Sequence, residues 1–227
     1  MPFEDLPDRL SEVRQRIDQA VRRGGHGQEV RIIAVTKTHG PDAVEAAWNA
    51  GLQDVGENRV QEALGKMAAV SSPVRWHLIG HLQRNKVKSA DGFHLIHSID
   101  SIRLAETVDS HAVAAGRVQK ALVQLNVVGE ESKGGFGPAE LPAAADRLRA
   151  MRGIDVCGVM TMAPLGASRE ILQRTFAGCR AARDELRRRG FEEARELSMG
   201  MSGDYEVAVE EGATMIRLGT LLFGERS

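Results

Sequence analysis

Val30-Arg31-Ile32-Ile33-Ala34-Val35 is a short run dominated by β-branched side chains, and Lys37 stands two residues beyond its end. Such a run predicts a buried strand. Upstream, Leu6, Leu10, Val13, Ile17 and Val21 recur at spacings of four and three, and Gly24-Gly25 closes the pattern, which predicts an amphipathic helix. Downstream the two kinds of segment alternate. Helices are expected over 41–50, 59–70, 85–90, 102–115, 138–151, 169–189 and 205–211. Strands are expected over 54–56, 74–79, 93–99, 121–127, 154–160, 196–198 and 214–218. Strict alternation implies a parallel sheet covered on its faces, hence the α/β class. Eight such units favour a closed single (β/α)8 TIM-type barrel, here with an extra N-terminal helix, over an open doubly wound sheet. No Gly/Ser linker, low-complexity tract or short repeat interrupts residues 1–227, so one domain is expected.

Bulk composition narrows the function classes. Hydrophobic residues make up 42% of the 227, enough for a core, but aromatics only 4%, so aliphatic and alanine packing must dominate. Lys plus Arg number 30 against 31 Asp plus Glu, a formal charge of −1 that argues for neither a nucleic-acid nor a membrane partner. Cys157 and Cys179 are isolated and suggest neither a disulfide framework nor a zinc site. The first ten residues are acidic without an apolar core, and no run approaches a membrane span. A cytoplasmic protein is the expectation.

In a barrel, functional groups collect in the loops after the strands. Lys37 lies there, and a lysine relieved of water can form an imine with an aldehyde. Leu197-Ser198-Met199-Gly200-Met201-Ser202-Gly203-Asp204 supplies glycines and hydroxyls before a helix. Ser202 is a candidate N-cap, and the stretch reads either as a capped helix or as a phosphate cradle. A carboxylate repels phosphate, so the second reading requires Asp204 to point away. Gly219 and Thr220 follow the last strand, where this fold often binds phosphate. Arg217, between Ile216 and Leu218, should point into the barrel and needs an acceptor there, a strand carboxylate or a ligand. Gly56-Glu57-Asn58-Arg59 and the stretch 76–86 put polar groups after the second and third strands. His77 and His81 are four apart, but strand-to-loop geometry and the lack of a completing carboxylate argue against metal. His94 and His97 read as strand residues without partners, Cys157 and Cys179 as core, and the arginines at 183 and 187–189 as a solvated helix face among acids. The loop 130–137 reads as a candidate lid.

Taken together, Ala34-Val35-Thr36-Lys37-Thr38, Gly56-Glu57-Asn58-Arg59-Val60-Gln61-Glu62, the stretch 76–86, Glu131-Ser132-Lys133, the stretch 197–202 and Arg217-Leu218-Gly219-Thr220 resemble the YggS/PROSC family of pyridoxal phosphate homeostasis proteins, in order and over nearly the whole chain. The resemblance implies an alanine-racemase-like barrel of fold-type III. It implies pyridoxal 5′-phosphate held as a Schiff base on Lys37, Ser202, Gly219 and Thr220 on the phosphate, Arg217 facing the pyridine nitrogen, and Asn58 lining the pocket. His81 stands where many relatives carry proline and receives no role.

Carrier and enzyme remain separate readings. Pyridoxal chemistry uses the ring as an electron sink, which a carboxylate on the pyridine nitrogen strengthens and a permanently cationic Arg217 weakens. Racemisation is the chemistry left, and it needs a second base, which resembling racemases carry as a tyrosine on a further domain. Tyr205, the one tyrosine here, adjoins the phosphate loop, and the sequence given ends at Ser227. The expectation is a protein that carries or buffers the cofactor, with apo-enzymes using it as recipients, as a monomer or weak dimer. The alternatives are a weak amino-acid racemase, with His81 or His39 as acid, and an interaction protein that senses cofactor supply.

Overall fold

A helix between successive strands forces neighbouring strands to run parallel, and parallel strands must be covered on both faces. The computed structural model describes residues 3–130 and 133–224 and closes on these terms. Strands β1 (Arg31–Val35), β2 (Asp54–Glu57), β3 (Arg75–Leu78), β4 (Leu95–Ile99), β5 (Gln119–Leu125), β6 (Ile154–Thr161), β7 (Glu196–Met201) and β8 (Met215–Leu218) form a closed barrel in chain order. The seam pairs β1 with β8 in parallel, with Ile33 against Arg217 and Ala34 against Leu218.

Helices α1 (Leu6–Gly24), α2 (Pro41–Asn49), α3 (Val60–Ala69), α4 (Ile102–Ala114), α5 (Leu141–Arg149), α6 (Arg169–Arg188), α7 (Tyr205–Glu210) and α8 (Thr220–Phe223) surround the sheet, with a 3₁₀ turn at Arg84–Ser89. The expected α1 buries Leu6, Leu10, Val13 and Ile17, and packs chiefly on α7 and α8. Strands β3 and β5 differ from expectation by a residue or two at their ends. Strand β7 runs three residues further, to Met201, because alternation in Leu197-Ser198-Met199 continues into Gly200. Gly200 adopts φ +93°, and a Cβ there would lie 2.7 Å from the Ala208 Cβ, so only glycine lets α7 pack against the strand end. The one-turn α8 was not expected; four residues carry too little periodicity to be read.

Two apolar layers result. The larger lies between strands and helices and includes Val55, Trp76, Leu78, Ile96, Leu197, Met199, Ile216 and Leu218. A smaller one, Ile33, Leu95, Leu122, Met160 and Met215, fills the barrel interior. Arg217 points inward between Ile216 and Leu218, as period-two alternation requires. Cys179 is buried and Cys157 half-buried, and burial pushes both thiols up to about 12.

Candidate functional site

The C-terminal end of β1 passes into Thr36-Lys37-Thr38, and this turn is tightly held. Lys66, from α3, is buried and donates to the Thr36 carbonyl at 2.7 Å, to Glu57 Oε1 at 2.6 Å and to Glu62 Oε1 at 3.1 Å. The Thr36 hydroxyl donates to the same Glu57 oxygen at 2.5 Å, and the Thr38 amide donates to Glu62. Thr38 sits at φ +69°, a left-handed conformation that costs a β-branched residue about 1–3 kcal/mol and persists where its surroundings over-determine it. Burial raises the Glu57 carboxyl above its ordinary range, against the pull of Lys66 and Thr36. The result is a rigid platform from which Lys37 projects. The Lys37 side chain is exposed and makes no hydrogen bond or ion pair among the described residues, so protein burial alone does not relieve it of water, contrary to the desolvation expected.

Beside β1, across the seam, lie the loops after β7 and β8. They touch: the Leu221 amide donates to Ser202 Oγ at 3.4 Å. Among the described residues nothing accepts from the backbone N–H groups of Ser202, Gly203, Gly219 or Thr220. Ser202 is therefore not the N-cap expected of it. That position belongs to Asp204, and the Ser202 hydroxyl instead bridges the two loops. Asp204 turns back into its own loop, accepting from the Met201 amide at 2.6 Å. Burial raises the Asp204 carboxyl, opposed by the Met201 amide and the Arg217 charge. Asn58, half-buried, follows β2. A Cβ at Gly80 would lie 2.3 Å from the Asn58 carbonyl, so the β3 loop approaches the β2 loop through that glycine.

Arg217 is buried, and its partner is not a strand carboxylate. It donates to Ser198 Oγ at 2.7 Å and to the Thr161 carbonyl at 3.0 Å, with no carboxylate in ion-pair contact among the described residues. Burial lowers the guanidinium to about 10, against the opposing charge of Asp204. Ser198 in turn bonds His97 Nδ1 at 2.9 Å, and His97 Nε2 bonds His77 Nδ1 at 2.9 Å. The expectation that His97 lacks a partner is corrected: its partner on β7 is 101 residues away and invisible to local pattern. His94 precedes β4, outside this chain. His77 and Ser198 were missed as interior groups, although each stands between outward apolar residues as Arg217 does. His77 faces the interior and His81 lies exposed, bonded to Asp100 at 2.9 Å, so the two do not share a metal. His39 packs edge-on against Phe3, ring centroids 5.5 Å apart. On α6, Arg188 and Arg189 pair with Glu185, and Arg183 with Asp184, as a solvated face would.

The candidate lid is tied to the barrel at both ends. Asn126 donates to the carbonyls of Glu130 and Lys133, Phe136 exchanges backbone bonds with Gln124 and Asn126, and Lys133 Nζ reaches the Ala163 carbonyl at 2.9 Å. Glu131 and Ser132 lie outside the described residues.

Comparison with known proteins places the barrel in a family. Residues 9–227 match the family model described as alanine racemase, N-terminal domain. A pyridoxal phosphate homeostasis protein of Aquifex aeolicus is 43% identical over 222 residues, covering 96% of this chain and 97% of its own. The structure of PipY from Synechococcus elongatus with PLP bound superposes with a TM-score of 0.86 at 38% identity, covering 96% of this chain and all of PipY. An alanine racemase of Clostridium difficile, in complex with cycloserine, is 14% identical with a TM-score of 0.79 and covers all of this chain but 61% of its own, a likeness of fold alone.

Proposed function

Because the chain belongs to the pyridoxal phosphate homeostasis family, built on the alanine racemase N-terminal fold, we propose that it binds pyridoxal 5′-phosphate reversibly on Lys37 and carries or buffers it. The observation that carries the reading is the pairing of an exposed lysine with two touching loops in which the amides of Ser202, Gly203, Gly219 and Thr220 have no acceptor among the described residues. Ser202, Gly203, Gly219 and Thr220 would hold the phosphate through those amides and the two hydroxyls. Arg217 would face the pyridine nitrogen, and Asn58 would line the ring. The group supplies an aldehyde that condenses reversibly with an amine.

The protein's own residues favour holding over turnover. Arg217 would face the ring as a donor only, and a cationic donor would leave the pyridine nitrogen unprotonated and the electron sink weak. The acids a racemase would need are engaged elsewhere: His39 in an aromatic contact, His81 on Asp100, and Tyr205 buried. Recipients of the cofactor would be apo-enzymes that require it, in the cytoplasm.

The test is borohydride reduction of the reconstituted, yellow protein followed by peptide mass analysis. A pyridoxyl mass on the Lys37 peptide supports the reading. A protein that takes up no cofactor, or an adduct on another lysine, sinks it. Sustained racemisation of an amino acid, abolished in Lys37→Ala, overturns the carrier half.

A further inference from the structure

The interior of the barrel holds more than an apolar layer. A continuous line of buried side chains crosses it: Arg217 Nη1 to Ser198 Oγ (2.7 Å), Ser198 Oγ to His97 Nδ1 (2.9 Å), His97 Nε2 to His77 Nδ1 (2.9 Å), and His77 Nε2 to Asp54 Oδ1 (2.8 Å). Ser198, His97 and His77 are each 0% exposed. Asp54 is clamped by Arg75 through both carboxylate oxygens, at 2.8 and 2.6 Å. That end lies at the N-terminal side of the barrel, where Asp54, Arg75 and Arg31 line an open cavity of about 830 Å³.

The direction of every bond in this line is determined. Arg217 can only donate, and an ionised Asp54 can only accept. His77 must therefore present Nε2–H to Asp54, which leaves its Nδ1 bare. His97 must then present Nε2–H to His77, leaving its own Nδ1 bare. Ser198 must give its one proton to that nitrogen and receive Arg217 on its lone pair. Both imidazoles are neutral in this arrangement. Burial depresses both histidines, and the guanidinium charge works the same way on His97. With both imidazoles neutral, reversing any one bond would point two donors or two lone pairs at each other among fully buried side chains, which buried polar groups do not tolerate.

We infer that Ser198, His97 and His77 are positioning residues for Arg217, and that Asp54 at the opposite end of the barrel fixes the polarity of the line, so that the guanidinium is held in one pose as a donor toward the cofactor's ring. This rests on the pyridoxal phosphate reading above and extends it from the mouth of the barrel to its closed end. Its particular consequence is action at a distance. Asp54 stands at the start of β2, yet a change there must reach the ring through four hydrogen bonds.

Two measurements test it. In the unaltered full chain, long-range proton–nitrogen correlation spectra of ¹⁵N-histidine-labelled protein should show His77 and His97 both as Nε2–H tautomers. Adding pyridoxal 5′-phosphate should shift the His97 Nδ1 resonance and leave that of His111, on α4, unmoved. In Ser198→Ala and Asp54→Asn, titration with pyridoxal 5′-phosphate should show affinity weakened about tenfold, the equivalent of one ordered bond to a charged donor, and a displaced visible band. Ser198→Thr, which keeps the hydroxyl, should restore the band, and His111→Gln, on α4 and bonded to Asp91, should leave both readouts as they are. Either histidine found as Nδ1–H, or folded Asp54→Asn protein with unchanged band and affinity, overturns the inference. A chain that takes up no cofactor at all instead removes the reading beneath it, while the tautomers still decide the polarity of the line.

Discussion

Replacing Lys66 with methionine keeps most of the side-chain volume and removes one charge, and its cost can be worked from the contacts of that charge. Glu57 is 0% exposed and Lys66 is 5% exposed, and the ammonium supplies three bonds, one to the Thr36 carbonyl in the turn that carries Lys37 and one each to Glu57 and Glu62. Removing one partner of a buried ion pair costs about 3–5 kcal/mol, mostly because the remaining charge is left without compensation. For a domain of this size that corresponds to a fall in Tm of about 6–20 °C. The pH dependence gives the sign. The folded Glu57 carboxyl is already raised by burial, and losing Lys66 raises it further. A carboxyl whose folded pKa exceeds its unfolded value destabilises the fold as pH rises through the unfolded value, because the unfolded chain ionises first. Lys66→Met should therefore lose most stability at neutral pH and recover part of it below about pH 5, where Glu57 carries a proton. Urea titrations at pH 7 and pH 4.5 measure this. The double variant Glu57→Gln/Lys66→Met, with no buried charge left, should be more stable than Lys66→Met alone. If it is no more stable, or if the single variant's deficit is the same at both pH values, the buried-charge reasoning is wrong.

Other expectations follow from named contacts. Lys37→Ala should abolish the visible band and the reducible adduct while shifting stability by no more than about 0.5 kcal/mol, since the side chain is exposed and unpaired among the described residues; calorimetry and absorption read both. Gly200→Ala should cost at least about 1 kcal/mol, from its φ of +93° and the 2.7 Å approach to Ala208, and urea unfolding checks it. His77 and His97 are depressed chiefly by burial, so the unfolded chain binds protons first as pH falls below about 6.5. Their contribution is intact above that value and shrinks toward pH 5, at up to about 1.4 kcal/mol per pH unit for each, and His97→Gln should flatten the profile.

Much of this was legible before the fold was known, and the limits have physical causes. The barrel was readable because short strand runs alternate with helical segments along the chain, which leaves few ways to cover a parallel sheet. Arg217 was read as inward-facing from its neighbours Ile216 and Leu218, and it is. The same alternation in Trp76-His77-Leu78 and Leu197-Ser198-Met199 carries the same message, since the flanking residues lie in the outer apolar layer. What local pattern could not supply is that the inward groups on β3, β4, β7 and β8 meet. Strand order around the closed barrel decides that, across separations such as the 101 residues between His97 and Ser198. Ser202 was assigned its loop correctly and its bond incorrectly, because whether a hydroxyl caps its own helix or the neighbouring loop depends on a contact across the last turn of chain.

The seam between β1 and β8 has a consequence for synthesis. Lys37 lies early in the chain and Gly219 and Thr220 late, and only the pairing of the last strand with the first brings them to one rim. A nascent chain on the ribosome, with β1 to β6 already emerged, has the lysine and neither of the loops proposed to hold the phosphate. Capture of the cofactor would thus report that translation had passed residue 220 and that the two ends had joined, making the bound colour a sign of completed folding rather than of the lysine alone.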